Sequence, residues 1–245
     1  YIYAIMDDMQ KRSLDTCTKD YLERILRLKP EFSEGLQGLA YSSGRSGLSP
    51  RLVVQALDLT QKILRGTYRY SNGEEQIVLE DGKYVKINFS SSGQQECVWI
   101  LNLLFYYLVQ QKEILFIIEE PESHLFPESQ KYITELIALV NNCGHSIVLT
   151  THSPYVLGTL NNLLYAKTIS PQARKEANKI IRESLWLDYN AFDSWFVKNG
   201  TIENCMDADI HMIQNEKIDE ISKVINEDFE RLLELQTTNE ESVVL

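Results

Sequence analysis

Three short stretches carry side chains suited to phosphate, a divalent cation and a proton. Glu119-Glu120 sets two carboxylates side by side at the end of an apolar run, Ile114-Leu115-Phe116-Ile117-Ile118. Two buried adjacent anions need a cation or a proton to offset them, and hydrated Mg²⁺ shared with phosphates is the usual answer. One carboxylate then holds the metal while its neighbour orients or deprotonates a water. Ser90-Ser91-Ser92-Gly93-Gln94-Gln95-Glu96 opens a long apolar helix. Free N–H groups, hydroxyls and the positive end of the helix dipole suit an anion there, and Gly93 would let a phosphate approach the backbone. A lone serine capping the helix accounts for the same residues. His152 follows a second apolar run, Ile147-Val148-Leu149-Thr150, and precedes Ser153-Pro154. Placed at a strand end beside the carboxylate strand, a neutral imidazole can donate to a phosphate oxygen. By placement alone His124, His145 and His211 read as structural.

The elements that must position these groups follow from periodicity and punctuation. Ile114–Ile118 is a continuous apolar run, the pattern of a central parallel strand covered on both sides. Pro127 starts an amphipathic helix through Ile133, Leu136, Ile137 and Val140, ending near Gly144. Ser146–Thr151 is the next strand, so strand, helix and strand form a right-handed parallel βαβ unit. Val98 to Val109 is a helix buried on most faces, too short to span a bilayer.

Upstream, Tyr21–Leu28 is a helix stopped by Pro30, and 41–49 is a Ser- and Gly-rich loop. Ser49-Pro50 starts a helix that runs to Gly66. Thr67–Ser71, Glu75–Glu80 and Lys83–Phe89 form an antiparallel meander, separated by the turn dipeptides Asn72-Gly73 and Asp81-Gly82. Downstream, Leu163–Ile169 reads as an edge strand, Pro171–Glu183 as a helix and Trp195–Ile202 as a hairpin. A last helix is expected over Glu216–Leu235, then a disordered acidic tail. The expected organisation is a helical and β-meander lobe over 1–89, a catalytic core over 90–170, a helix-hairpin-helix extension over 171–235 and the tail at 236–245.

Composition narrows the classes. The net charge of −11 argues against a chain built to coat nucleic acid or anionic membrane, though a local DNA-binding patch is compatible with it. Four scattered cysteines without C-x-x-C spacing suit free thiols in a reducing cytoplasm. The chain begins at Tyr1, with neither an initiator Met nor a targeting segment, and reads as the interior of a longer protein.

The motifs together resemble the ABC-type ATPases of the SMC/RecF/OLD branch. Ser91-Ser92-Gly93-Gln94-Gln95-Glu96 is similar to their signature motif and Ile114–Glu120 to their Walker B strand. Glu119-Glu120-Pro121-Glu122-Ser123-His124-Leu125-Phe126-Pro127 resembles the E-E-P-E-x-H-L-x-P run of the bacterial "AAA family ATPase" group, and Thr150-Thr151-His152-Ser153-Pro154 its T-T-H-S-P switch motif. The likeness covers residues 89 to 157. It implies an α/β, parallel-sheet P-loop NTPase-like head carrying a helical and antiparallel-β lobe, with ATP and Mg²⁺ as ligands.

The resemblance also implies roles. Glu119 would stand at the Mg²⁺ position, Glu120 would be the catalytic base and His152 the γ-phosphate sensor. Ser91, Ser92, Gly93 and Gln94 would face the γ-phosphate of ATP held by a second subunit. Glu122, Ser123 and His124 would lie where the D-loop crosses a head-to-tail homodimer. No G-x-x-x-x-G-K-[ST] occurs in the 245 residues, so the activity is expected to require a P-loop outside this chain. The family context suggests a DNA transaction, DNA repair or anti-phage defence, often beside a separate nuclease or other effector. The alternative is a catalytically inactive ATPase-like scaffold. A nuclease activity of the chain itself has little support, since no acidic cluster accompanies the Walker B pair.

Overall fold

The computed structural model describes residues 15–42, 47–214 and 224–233. By contact the chain divides into two units, Tyr1–Leu187 and Asp188–Leu245. Shorter helices of the first unit pack around one long buried helix, which leads into a pair of parallel strands.

In the first unit, α1 (Thr16–Leu28) is capped by Asp15, whose carboxylate accepts from the Thr18 N–H, and buries Leu22, Ile25 and Leu28. A 3₁₀ turn (Lys29–Phe32) and α2 (Gly35–Ser42) follow. Next, α3 spans Pro50–Leu64 with Pro at its first position, where the missing N–H costs nothing. Strands β1 (Thr67–Ser71), β2 (Glu74–Val78) and β3 (Tyr84–Lys86) form the expected antiparallel meander. Its two turns use positive φ at Asn72, Gly73 and Gly82, as their dipeptides predict.

The meander is fastened to α4 (Ser92–Gln110) by a buried polar knot. Glu75 Oε1 accepts from Tyr68 Oη and Trp99 Nε1, each at 2.8 Å, and Lys29 Nζ lies 2.7 Å from Glu75 Oε2. Phe32, Tyr68 and Trp99 meet edge to face around it, with centroids 5.7 Å apart. A carboxylate out of water is tolerable only with such partners, so the knot fixes α4 against the meander.

Helix α4 leads to β4 (Leu115–Glu119), then α5 (Pro127–Asn142), β5 (Ser146–Thr150) and α6 (Pro154–Thr168). β4 and β5 pair in parallel, Leu115 opposite Ser146 and Glu119 opposite Thr150. The βαβ unit is therefore present. Its cover is not as expected. Leu115, Ile117 and Val148 are 59, 70 and 51% exposed, because among the described residues helices pack on one face only, where Phe116 meets Tyr107 of α4 at 5.8 Å and α5 lies on β5.

Two further expectations are corrected. Leu163–Ile169 is no edge strand: α6 continues through Thr168, since Val156, Leu157, Leu160, Leu163 and Leu164 are buried at helical spacing against α5. The helix expected over Pro171–Glu183 shrinks to α7 (Arg174–Ile180), which buries nothing, and a 3₁₀ turn (Glu183–Leu185) follows it.

In the second unit, β6 (Trp195–Lys198) and β7 (Thr201–Asn204) make the expected hairpin through Asn199-Gly200. β8 (Met206–Asp207) pairs with β9 (Met212–Ile213). Residues 224–233 are helical. The centre of the expected loop at 43–46, the ends of the expected last helix and the tail from Gln236 lie outside the described residues.

Candidate active site

Parallel pairing of β4 with β5 carries the two apolar runs forward together, so their polar ends emerge side by side. The ladder closes at Glu119 opposite Thr150, and the Glu120 N–H adds one bond to the Thr150 carbonyl at 3.0 Å. There the chain turns sharply. Glu120 has φ +43 and His124 φ +59, a left-handed backbone that non-glycine residues adopt at a cost. The turn swings Glu120 toward the end of β5, where its Oε1 lies 3.5 Å from His152 Nε2. The structure thus brings together two residues 32 positions apart in the sequence.

Neither Glu119 nor Glu120 is buried. The expected buried pair is corrected, and the bare sheet face is the reason. The Glu119 side chain makes no hydrogen bond or ion pair among the described residues, and Ser123 Oγ lies 3.3 Å from Glu120 Oε2. Glu119, Glu120, Ser123 and Glu96 line an open cleft of about 350 Å³ with Cys97 on its wall. Burial pushes the Cys97 thiol up to about 12, which removes it from proton transfer near neutral pH. A cleft of about 640 Å³ lies elsewhere, between the end of α3 and the β2–β3 turn. Its Lys62 is already paired with Asp58 at 2.8 Å, and none of the three motifs reaches it.

The carboxylate that turns inward is Glu122. Its Oε1 accepts from Thr151 Oγ1 and, at 3.1 Å, from the His152 N–H. Sequence reasoning placed Glu122 at a dimer crossing and gave no hint of this intramolecular contact. The short polar residue at Thr151, one step before the histidine, is the only trace of it in the sequence.

The Ser-Gly segment lies against the same loop. Ser91 caps α4 in a reciprocal box: its Oγ accepts from the Gln94 N–H at 3.3 Å, and its N–H donates to Gln94 Oε1 at 3.1 Å. Gln94 Nε2 also donates to the Leu64 carbonyl at 2.7 Å. Gly93 is buried, and a Cβ there would sit 2.5 Å from the His124 carbonyl oxygen. The close approach that glycine permits is made by the chain's own backbone. Ser91 and Ser92 remain exposed, and His124 Nε2 stands 3.7 Å from Glu96 Oε2.

A divalent cation fits this cleft in one way. Among the described residues no group of three or more His, Cys, Asp or Glu could enclose a metal. An unengaged carboxylate such as Glu119 can still supply one ligand to a cation whose others are water and phosphate.

Acidic groups at the carboxyl ends of parallel strands occupy the ligand-binding edge of an α/β sheet. That class of architecture agrees with the comparisons. Residues 3–157 match the AAA ATPase domain, well over half of the chain, and the chain belongs to that family, whose fold is that of the P-loop NTPases. It is also similar to the cytochrome c biogenesis ATP-binding export protein CcmA of Bartonella quintana (strain Toulouse), 31% identical over 98 residues. The match takes in 40% of this chain and 45% of that protein, so the chain spans less than half of that relative's length. The family is one of ATPase domains, and the Bartonella protein is named for ATP binding. Among the described residues no helix is long and apolar enough to cross a membrane.

Proposed function

We propose that this chain is the signature-and-base portion of an ATPase that acts as a head-to-tail dimer. The observation that carries the proposal is the 3.5 Å approach of Glu120 Oε1 to His152 Nε2 above an acidic cleft. Glu120 accepts the proton of the attacking water, and His152 donates to the γ-phosphate from the opposite strand end. Glu119 holds Mg²⁺, which would supply charge neutralisation on the phosphates. Ser91 and Ser92, with the free N–H groups of the first turn of α4, face the γ-phosphate of ATP held by a second copy. Gly93 and Gln94 hold that turn in shape, and Ser123 and His124 face the dimer seam. The 245 residues contain no G-x-x-x-x-G-K-[ST] P-loop, and this reading requires one to grip the α- and β-phosphates. Cys17, Cys97, Cys143 and Cys205 form no disulfide, which suits the cytoplasm. Switching of a DNA transaction or a separate effector, in repair or defence, is the purpose this reading favours.

The test is Glu120→Gln in the full-length protein. ATP turnover should fall on the order of 10²-fold or more, while ATP still binds and accumulates a dimer measurable by light scattering. Undiminished turnover would remove Glu120 from the chemistry. A wild-type protein that binds no ATP would leave the scaffold reading standing.

A further inference from the structure

Glu122 is the one buried carboxylate of the 119–122 run, at 7% exposure. One oxygen, Oε1, takes two hydrogen bonds, from Thr151 Oγ1 and the His152 N–H. The other, Oε2, is buried with no hydrogen-bond partner among the described residues. Leaving half a carboxylate unsatisfied in the interior is costly, so general packing does not explain the residue.

What Glu122 does is join two turns. Thr151 Oγ1 accepts from the Ser153 N–H at 3.0 Å, Ser153 Oγ donates to Gln130 Oε1 at 2.6 Å, and Gln130 Nε2 donates to the Leu125 carbonyl at 2.9 Å. The path begins at Glu122 and returns to the same loop three residues on. The loop needs such an anchor, because Glu120 and His124 on either side of it hold left-handed backbone. So does His152, whose side chain is 88% exposed and is therefore located by its backbone rather than by packing.

We infer that Glu122 is a positioning residue: by holding the His152 backbone it sets the imidazole against Glu120. Its consequence for catalysis rests on the ATPase reading above; the anchoring does not.

Both parts are tested on the full-length protein with Glu122→Ala, Glu122→Asp, Glu122→Gln and His152→Ala. Amide hydrogen exchange at His152, followed by NMR, should accelerate about tenfold in E122A and in E122D, whose carboxylate no longer reaches. E122Q keeps an oxygen at the same reach and should keep the protection. In turnover, E122A and E122D should lower kcat on the order of 10²-fold with the KM for ATP unchanged, and E122Q should recover most of it. Adding E122A to H152A should cost far less than adding E122A to the wild type. Unchanged exchange at His152 in E122A and E122D overturns the anchoring, as does loss of protection in E122Q. Equal losses from E122A with and without H152A overturn the positioning role. If E122A does not fold, the E122D and E122Q pair decides alone. If the wild type turns over no ATP, the ATPase reading fails while the exchange data still decide the anchor.

Discussion

Gly93 and His124 touch through backbone: a Cβ at Gly93 would stand 2.5 Å from the His124 carbonyl oxygen and 3.3 Å from Leu125 Cδ2. The first turn of α4 and the loop bearing Glu120 are therefore fitted to each other without room for a methyl group. Gly93→Ala should destabilise the protein by about 1–3 kcal/mol, and should lower turnover as well by displacing the loop. Gly158, inside α6, has open space around its Cβ position. Gly158→Ala should therefore stabilise, by about 1 kcal/mol. Urea melts of the two variants read both signs, and a neutral G93A would mean that the loop yields freely.

A second prediction concerns the middle of α4. Asn102 is fully buried, and neither its Oδ1 nor its Nδ2 has a hydrogen-bond partner among the described residues. A buried unpaired amide is destabilising, and leucine is both close in size and a better helix former. Asn102→Leu should stabilise by about 1–3 kcal/mol, read from the midpoint of chemical unfolding. A fall in the midpoint would show that the amide is satisfied in solution.

His145 gives the pH dependence a sign. Its ring is buried, meets Phe116 at 5.8 Å and leaves Nδ1 without a partner. Burial holds it below the ordinary histidine value of 6.5, with the Glu113 carboxylate opposing in part. The unfolded chain takes up a proton that the folded chain resists, so the stability due to neutral His145 is full above about pH 6.5 and is lost as pH falls toward the folded value. His145→Gln should lose less stability than wild type between about pH 7 and about pH 5. Parallel stability profiles for the two proteins would remove His145 from that dependence.

Much of the framework was legible in the sequence because its signals are local. Asn72-Gly73, Asp81-Gly82 and Asn199-Gly200 announce their turns through the φ values that they alone tolerate cheaply. Ser49-Pro50, Pro127 and Ser153-Pro154 mark helix starts. What failed depends on partners distant in the chain. Leu115, Ile117 and Val148 look like core residues, yet burial is a property of what lies opposite, and no apolar run states that. Leu163–Thr168 is equally compatible with strand and helix, and packing on α5 decides for helix. Within the site, three glutamates among four successive residues offer no sign of which one turns inward. The answer lies in the left-handed turn at Glu120 and in a threonine 29 residues beyond Glu122.

That turn sets folding against chemistry at position 120. A glutamate in left-handed backbone costs on the order of 1 kcal/mol or more, whereas glycine adopts it freely and asparagine more readily than most residues. Selection for thermal stability alone would therefore tend to remove the carboxylate from this position. A screen for sturdier variants would favour the substitutions that empty the cleft of its candidate base, and sturdiness and function have to be scored separately here.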